Sequence, residues 1–331
     1  MIAMYHVLII GGGFSGCVIA DELSGCGAKV SIVERSARIG GKVRNYGCKA
    51  TDKCNNCGVC LSAGLWEKVE KTPQIDIINN SKLADVNGKA GDFSVILKTP
   101  EGTKGINGIS HIVVATGFEE SNAYAGHLQI EGKLGIIRGL ELEALCKGRK
   151  KDSLFEKAPD SVAFIQCVGS RDKKDDSIYC SRVCCSYSTR AAKVIRHIYP
   201  ECWITFFYME MQAVSNGDYF ASLKDEQNIE FIKCRPLRIK AGEPVIIEFE
   251  NPENGDIAKR EFDYVVLSEG IHPAKDADIM AELCGLLQDK NGFLGSGNDG
   301  IYVAGCAKRP AKIEETWSDA VAVANQIRSE I

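Results

Sequence analysis

The feature that most constrains the fold is a glycine-rich loop near the start of the chain. The apolar run HVLII at residues 6–10 predicts a strand, and GGGFSG follows it directly, so Gly11, Gly13 and Gly16 satisfy the pattern G-x-G-x-x-G. An amphipathic segment and the apolar run KVSIV at residues 29–33 then predict a helix and a second strand. The chain therefore opens as a β-α-β unit of the kind that binds a dinucleotide.

The residues around this loop suit the same chemistry. Glycine allows a tight turn and lets the backbone approach a pyrophosphate, whose charge then lies at the helix N-terminus. Phe14 and Ser15 complete the loop. Glu34, followed by Arg35, ends the second strand 18 residues after Gly16, where an acidic side chain can bind a ribose hydroxyl. All of these are candidate cofactor-binding residues.

Three later segments indicate that the dinucleotide is FAD. Paired glycines with a lysine after them occur just past the acidic residue, a third strand ends in VVATG, and a late strand reads GIYVAGC. In this order and spacing they resemble the FAD-binding domain of flavoproteins that carry two dinucleotide-binding domains. Cys306 stands where many members have aspartate, so a backbone amide near Gly305 or Ala307 would make the ribitol contact. The further candidates are Gly40, Gly41, Lys42, Ala115, Thr116, Gly117, Gly305, Cys306 and Ala307.

Eight of the fifteen cysteines fall into two groups of four. Thiols seldom pair in a reducing compartment, whereas thiolates that converge select iron–sulfur clusters or zinc. The first group has the spacing C-x12-C-x3-C-C and comprises Cys167, Cys180, Cys184 and Cys185. It lies in a second β-α-β opening, which is predicted from a strand at 161–166, a helix at 179–198 and a strand at 203–208. This opening contains no G-x-G-x-x-G.

The first group is expected at the N-terminus of that helix. Cys180 and Cys184, four residues apart, would share one helix face, and Cys167 would be brought to it from the end of the preceding strand. A second glycine motif would bind NAD(P)H at this position, and the helix dipole would stabilise an anionic cluster there. We infer that a cluster has replaced the nicotinamide site; zinc or buried free thiols are the alternatives.

The most specific resemblance lies in the same segment. IQCVGSRD and the later YCSRVCCSYSTRAAK resemble the signature of the A-subunit of heterodisulfide reductase and its relatives, and the flavin motifs extend the similarity over most of the chain. The resemblance implies that the four cysteines bind a [4Fe–4S] cluster beside FAD, in a thioredoxin-reductase-like fold that dimerises. The full-length family also carries ferredoxin-like domains, which we do not expect within this sequence. The chain thus resembles the short forms of sulfur-oxidising heterodisulfide-reductase-like or quinone-interacting oxidoreductase complexes.

The tail departs from the family pattern. The family commonly shows glycine-proline-lysine-aspartate after the final flavin strand, where this chain has Arg309, Pro310, Ala311 and Lys312. Lys312, or Lys308 before it, is the candidate for the family lysine beside the flavin.

The second cysteine group lies in a loop at residues 42–62, just after the paired glycines. Its spacing, C-x5-C-x2-C-x2-C, contains the compact C-x2-C-x2-C run of ferredoxin-type ligands. We expect a second [4Fe–4S] cluster, with zinc or a redox dithiol as alternatives. The group comprises Cys48, Cys54, Cys57 and Cys60.

Composition and order define the expected domains and environment. An FAD-binding domain at 1–150 plus 273–331 would be interrupted by a second Rossmann-like domain at 151–272, with a break in the charged stretch 147–160. A net charge of −4 leaves no electrostatic footprint for nucleic acid, and the charged run RDKKDD at 171–176 is expected to be a solvated loop. The chain shows neither a signal peptide nor an apolar run long enough to enter a membrane, so a cytoplasmic protein is expected.

We therefore predict an α/β oxidoreductase that relays electrons between FAD, [4Fe–4S] clusters and the other subunits of a heterodisulfide-reductase-like complex, as a homodimer. One alternative is an NAD(P)H-dependent disulfide reductase, against which the missing second glycine motif argues. The other is a zinc-bearing, flavin-binding scaffold.

Overall fold

A computed structural model describes residues 5–122, 128–148, 154–173, 177–212, 223–224, 226–295 and 297–330. The chain forms two compact units. The first comprises residues 1–44, 58–119 and 273–331, and the second comprises residues 45–57 and 120–272.

The helices and strands are numbered along the chain. The α-helices are α1 Phe14–Ser24, α2 Leu65–Lys71, α3 Gly139–Gly148, α4 Cys184–Ile198, α5 Ala277–Cys284 and α6 Ile313–Glu330. Short 3-10 turns lie at Lys42–Asn45, Val59–Ser62 and Gly305–Ala307. The first eleven strands are β1 His6–Ile10, β2 Lys29–Val33, β3 Ile75–Ile78, β4 Lys82–Lys89, β5 Asp92–Thr99, β6 Gly102–Ile109, β7 His111–Val114, β8 Phe118–Glu120, β9 Gln129–Glu131, β10 Ile136–Arg138 and β11 Ser161–Val168. The remaining strands are β12 Trp203–Phe207, β13 Ile229–Ile232, β14 Pro236–Lys240, β15 Val245–Glu250, β16 Ile257–Phe262, β17 Tyr264–Glu269, β18 Ile271–Pro273 and β19 Ile301–Val303.

The first unit is built on a parallel sheet with the order β19-β7-β1-β2-β3. Its central strand β1 is buried along its whole length, which explains why the sequence there is a continuous apolar run. Val7 and Ile9 pack with α1, α2 and α6 on one face, whereas Leu8 and Ile10 pack with α5 and the antiparallel sheet β4-β5-β6 on the other. The predicted strands and helix at the start of the chain are confirmed.

The second unit has the same arrangement. A parallel sheet with the order β10-β17-β11-β12-β13 lies at its centre, and β11 is the middle strand. Val162 and Phe164 face α3 and α4, while Ala163 and Ile165 face the sheet formed by β14, β15, β16 and β9. The connection from β11 to α4 therefore occupies the same place in this unit as the glycine loop between β1 and α1 occupies in the first.

The division into units differs from the predicted domain boundaries. The predicted break at 150/151 lies outside the described residues, and the chain enters the second unit at residue 120. This happens because β10 pairs with β17, far along the chain, and α3 packs beside that pair. Residues 45–57, predicted in the first domain, also belong to the second unit.

The predicted helix over 179–198 begins later than expected, at Cys184. Arg182 has a φ of +63°, which no right-handed helix accommodates, so the chain before it is irregular. Cys180 therefore lies outside the helix, and the expectation that Cys180 and Cys184 share a helix face is wrong.

Within the described parts of the chain, every helix is too short or too polar to span a bilayer.

The core of the second unit can be tested at Phe164. This side chain is fully buried and its ring stacks on that of Phe206 at 4.9 Å. Phe164→Ala should cost about 3–5 kcal/mol because it leaves a cavity, and the urea midpoint should fall accordingly. Leu134→Ala, at a side chain 60% exposed in the same unit, should stay within about 0.5 kcal/mol of the parent protein. Equal midpoints for the two variants would contradict this packing.

Candidate functional site

The glycine loop of the first unit has no room for side chains at two of its positions. Gly11 has a φ of +106°, and a Cβ there would collide with the carbonyl oxygen of Ala115. A Cβ on Gly16 would collide in the same way with the carbonyl oxygen of Gly11. These two glycines are required by the packing of β1, β7 and α1 against one another.

Gly13 is different because a Cβ on it would meet no described atom within 4 Å. The residue is extended and directly precedes α1, whose first N–H groups have no partner within the helix. The backbone at Gly13 is thus open at a helix N-terminus, where an anionic group would bind.

Glu34 is buried beside this loop. One carboxylate oxygen accepts the N–H of Gly12 at 2.8 Å, and the other accepts the N–H and the hydroxyl of Ser36 at 2.8 and 2.6 Å. The paired glycines lie against the same loop: the Gly40 N–H donates to the Gly12 carbonyl at 2.6 Å, and a Cβ on Gly41 would be 3.0 Å from the Cα of Gly13. The structure therefore brings these predicted residues together.

Two further predicted residues carry hydroxyls that lack partners. Ser15 Oγ and Thr116 Oγ1 are buried, and neither finds a hydrogen-bond partner in the part of the chain that the structure describes. Gly305 has a φ of +66°, and a Cβ there would lie 2.9 Å from that of Ser15. The final strand thus also reaches the loop. Unpaired buried hydroxyls are costly, and a polar ligand would satisfy them.

The remaining predicted residues of this unit contact other side chains. Arg35 and Lys42 both pair with Glu119, at 3.2 and 3.5 Å, and Lys42 also lies 5.2 Å from the centre of the Phe118 ring. Gly117 has a φ of +78° directly before that ring.

The residues after the final strand form a local network. The Gly305 N–H donates to Asp319 at 2.8 Å, and Asp319 also pairs with Lys308 at 3.3 Å. Burial raises the pKa of Cys306 to about 11, so its thiol stays neutral and donates to the carbonyl of Ala311 at 3.5 Å. Ala307 is buried in the 3-10 turn, and the Lys312 N–H donates to Glu315 at 3.1 Å.

In the second unit, the four cysteines of the first group line one pocket. Cys167 lies near the end of strand β11, and Cys184 and Cys185 form the start of α4. Cys180 reaches the same pocket from the irregular segment before the helix.

The backbone around the pocket is held in unusual conformations. Cys167, Arg171 and Arg182 have φ values of +60°, +56° and +63°. Each left-handed residue other than glycine costs about 1–2 kcal/mol. Such conformations cluster at functional sites, where the surrounding structure imposes them. Here they direct thiols from separate segments into one pocket.

The pKa values of three thiols of this pocket are raised by burial. Burial, followed by repulsion from Cys167, Cys185 and Cys180, raises the pKa of Cys184 well above its usual value. Burial and the nearby Cys185 likewise raise the pKa of Cys167 to about 11. Burial also raises the pKa of Cys185. A positively charged metal core would reverse this balance, because thiolates rather than thiols are the ligands.

One charged side chain at this pocket is not predicted as functional by the sequence. Arg171 belongs to the run expected to be a solvated loop, yet it lines the pocket and pairs with Glu210 at 3.1 Å, and Asp172 pairs with Arg235 at 2.7 Å. Residues 174–176 lie outside the described residues. The only sequence signal for Arg171 is its place within IQCVGSRD.

Three cysteines have the same local hydrogen-bond pattern. In each, the sulfur accepts a hydrogen bond from the backbone N–H of the residue two positions later. It joins Arg182 to Cys180 at 3.3 Å, Ala50 to Cys48 at 3.4 Å and Asn56 to Cys54 at 3.4 Å. Backbone N–H groups also point at the sulfurs of bound clusters in this manner, and both cysteine groups contain such backbone. Among the described side chains, no group of three or more is arranged to hold a single metal ion.

The loop of the second cysteine group is anchored within the second unit. Lys49 is buried, donates to the Gly47 carbonyl at 2.9 Å and forms a short ion pair with Glu143 of α3. Gly47 packs so closely on the end of α3 that a Cβ would collide with its backbone. Cys48, Cys54 and Cys57 belong to this unit, whereas Cys60 belongs to the first.

Arg190 of α4 holds the same loop between two of its cysteines. The guanidinium is buried and donates to the carbonyls of Asn55 at 2.9 Å and Asn56 at 2.6 Å. The sequence does not predict this role, because nothing in the helical spacing shows that an arginine will bind carbonyls over 130 residues away.

Comparisons with known proteins bear on both sites. The NAD(P)-binding Rossmann-like domain family matches residues 9–64. The iron–sulfur A2-subunit of the CoB–CoM heterodisulfide reductase of Methanopyrus kandleri is 27% identical over 96% of this chain. The A-subunit of the H2:CoB-CoM heterodisulfide, ferredoxin reductase of Methanothermobacter marburgensis is 27% identical over 95% of it. The chain resembles the heterodisulfide reductase A-subunit along nearly its whole length.

This chain spans 63% and 62% of the length of those two relatives, and 53% of a relative from Methanosarcina acetivorans. Among solved structures, Lactococcus lactis thioredoxin reductase matches with a TM-score of 0.66 at 17% identity, covering 98% of both chains. T. acidophilum thioredoxin reductase matches with a TM-score of 0.65 at 15% identity, covering 98% of this chain and 97% of that one. The predicted two-dinucleotide-binding-domain fold is confirmed.

The anchoring of the cysteine loop can be tested at Arg190. Arg190→Met would leave the buried carbonyl of Asn55 and the partly buried carbonyl of Asn56 without their charged donor, which should cost the loop about 2 kcal/mol, or about thirtyfold in its opening equilibrium. Trypsin cleavage after the exposed Lys53 should accelerate by a similar factor, as mass spectrometry would show. Arg260→Met, at an exposed arginine of the same unit, is the control. Unchanged cleavage in the Arg190 variant would rule out the anchor.

Proposed function

We propose that this protein is an electron-transferring iron–sulfur flavoprotein that works as one component of a heterodisulfide-reductase-like complex. The observation that carries the proposal is the four-cysteine pocket at the β11–α4 junction, which occupies the position of a second dinucleotide loop. The proposal assigns FAD to the first unit and a [4Fe–4S] cluster to the second. FAD exchanges electrons singly or in pairs, whereas a cluster exchanges one at a time, so together they would connect a two-electron donor with one-electron partners.

In the first unit, we assign the FAD pyrophosphate to the open backbone at Gly13 and the N-terminus of α1. Ser15 and Thr116 would donate their unpaired hydroxyls to the cofactor. Glu34 would exchange a backbone partner for a ribose hydroxyl. Because the Gly305 N–H is bound by Asp319, the amide of Ala307 is the better candidate for the ribitol contact.

In the second unit, Cys167, Cys180, Cys184 and Cys185 would bind the first cluster. The three residues of positive φ hold these thiols towards one pocket, and the first turn of α4 adds its dipole to stabilise an anionic group. Four thiols that line a pocket without being arranged around a single ion favour a cluster over mononuclear zinc.

The second cysteine group would bind another [4Fe–4S] cluster. The N–H···S bonds at Cys48 and Cys54 and the anchoring by Arg190 favour a fixed metal site over a mobile redox dithiol. Cys57 belongs to the same unit and would be its third ligand, and Cys60 is the fourth candidate by sequence spacing alone.

The alternative, an NAD(P)H-dependent disulfide reductase, is favoured by the fold alone. Its nicotinamide site would require a glycine loop after β11, where the chain has Cys167 and a pocket of thiols. We further propose that the protein works with partner subunits, because the relatives' names describe subunits. A homodimer in the cytoplasm, as expected from the sequence, is part of the same proposal.

The first test is the cofactor content of protein purified without oxygen. About eight iron, eight acid-labile sulfide and one FAD per chain are expected, with little zinc. Cys184→Ser and Cys57→Ser should each lose about four irons, whereas Cys26→Ser, outside both groups, should lose none. Zinc in place of iron would overturn the electron-transfer proposal, and loss of iron in only one variant would restrict it to one cluster.

The FAD assignment can be tested at Gly13, where a methyl group fits the protein but not a closely bound pyrophosphate. Gly13→Ala should leave the iron content unchanged and lower the bound flavin at least about tenfold. Gly105→Ala in β6 is a matched control, because a Cβ there also meets no described atom within 4 Å. Full flavin occupancy in the Gly13 variant would exclude this loop as the pyrophosphate site.

A further inference from the structure

The cysteine pocket contains an arginine whose hydrogen-bonding capacity is only partly used. Arg171 lines the pocket and directs Nη2 to Glu210 at 3.1 Å. Its other terminal nitrogen, Nη1, is buried, and no described atom accepts a hydrogen bond from it. A buried N–H of a charged group without a partner is costly, so this nitrogen points to an acceptor other than the described atoms of the chain, such as a group bound in the pocket.

The backbone holds this arginine firmly. Arg171 has a φ of +56°, and its N–H donates to the carbonyl of Tyr179 at 3.0 Å. The next residue, Asp172, exchanges two backbone hydrogen bonds with Ser177 at 2.9 and 3.0 Å and forms an ion pair with Arg235 at 2.7 Å. The backbone of Arg171 is therefore fixed beside the pocket, and the described contact of its guanidinium is the ion pair with Glu210.

The charge of Arg171 already acts on the thiols. It opposes the effect of burial on Cys167 and on Cys185, lowering the pKa of each. Glu210 is the carboxylate that lines the same pocket and shares the guanidinium. The pocket is thus lined by two arginines, Arg171 and Arg182, and by one carboxylate, Glu210, which partly neutralises Arg171.

We propose that Arg171 donates a hydrogen bond from Nη1 to the cluster bound by the four cysteines, and that this bond raises the reduction potential of the cluster. This inference rests on the proposed function. A cluster that accepts one electron from a reductant becomes one unit more negative, and no bond to the protein forms or breaks. A positive donor fixed in the pocket stabilises that reduced form more than the oxidised form.

Removal of the Arg171 guanidinium and removal of the Glu210 carboxylate should change the reduction potential of the cluster in opposite directions. Without the guanidinium, the reduced cluster loses its compensating charge and the potential falls. Without the carboxylate of Glu210, the guanidinium is no longer neutralised and the potential rises. A role in folding alone predicts no such reversal of sign.

The test is a redox titration of the full chain, reconstituted with iron and sulfide without oxygen, reduced with dithionite and monitored by electron paramagnetic resonance. Arg171→Met should shift the equilibrium between oxidised and reduced cluster about tenfold towards the oxidised form, which is about 59 mV for one electron. Arg171→Lys, which keeps the charge but loses the planar fork, should shift it less. Glu210→Gln should shift it in the opposite direction, and Arg260→Met, far along the chain on β16, should not shift it.

The outcomes separate this inference from the proposed function. If the parent protein binds no iron at this pocket, the function itself fails. If the parent and all variants bind four irons there and titrate at the same potential, Arg171 is not a donor to the cluster and the inference is overturned. If Arg171→Met binds no iron at this pocket, Glu210→Gln provides the test: an upward shift of the reduction potential supports the inference, and no shift overturns it.

Discussion

A central parallel strand that ends against the N-terminus of a helix leaves a crevice at the carboxyl edge of its sheet, and each unit of this protein is built around one such junction. In the first unit, residues 11–13 join β1 to α1, and glycines let backbone approach backbone. In the second unit, residues 169–183 join β11 to α4, and cysteine side chains line this junction where the first unit has glycines. Both sheets place the junction after a central strand, so the chemical difference between the units is concentrated at this connection.

At the junction between β11 and α4, burial disfavours the thiolate form of the cysteines. Burial raises the pKa of Cys167, Cys184 and Cys185, and the charge of Arg171 partly opposes this effect at Cys167 and Cys185. The N-terminus of α4 also favours a thiolate over a thiol. A bound group that brings positive charge to the sulfurs, as the proposed cluster would, would offset the cost of burying thiolates there.

The sequence predicts what local pattern controls. Strands buried on both faces appear as continuous apolar runs, so the predicted β1 and β11 agree with the structure within one or two residues, and the glycine motif follows from its position after a strand. The start of α4 escapes prediction because the positive φ of Arg182 leaves no periodic signal. The boundary between the two units at residue 120 is also not predicted, because β10 joins its sheet by pairing with β17, more than 120 residues later. Arg171 looks like a solvated charge in the sequence because its burial comes from segments distant along the chain.

The second cysteine loop shows how such distant contacts organise function. It interrupts the first unit in sequence, yet Lys49 and Arg190 attach it to α3 and α4 of the second. Helix α4 presents Cys184 and Cys185 in its first turn, and Arg190 follows Cys185 by five residues, or about 7–8 Å along the axis. One rigid helix thus holds two cysteines of one group and the anchor of the other. A displacement of α4 would move both together, so their spacing within this unit is set by a single element of secondary structure.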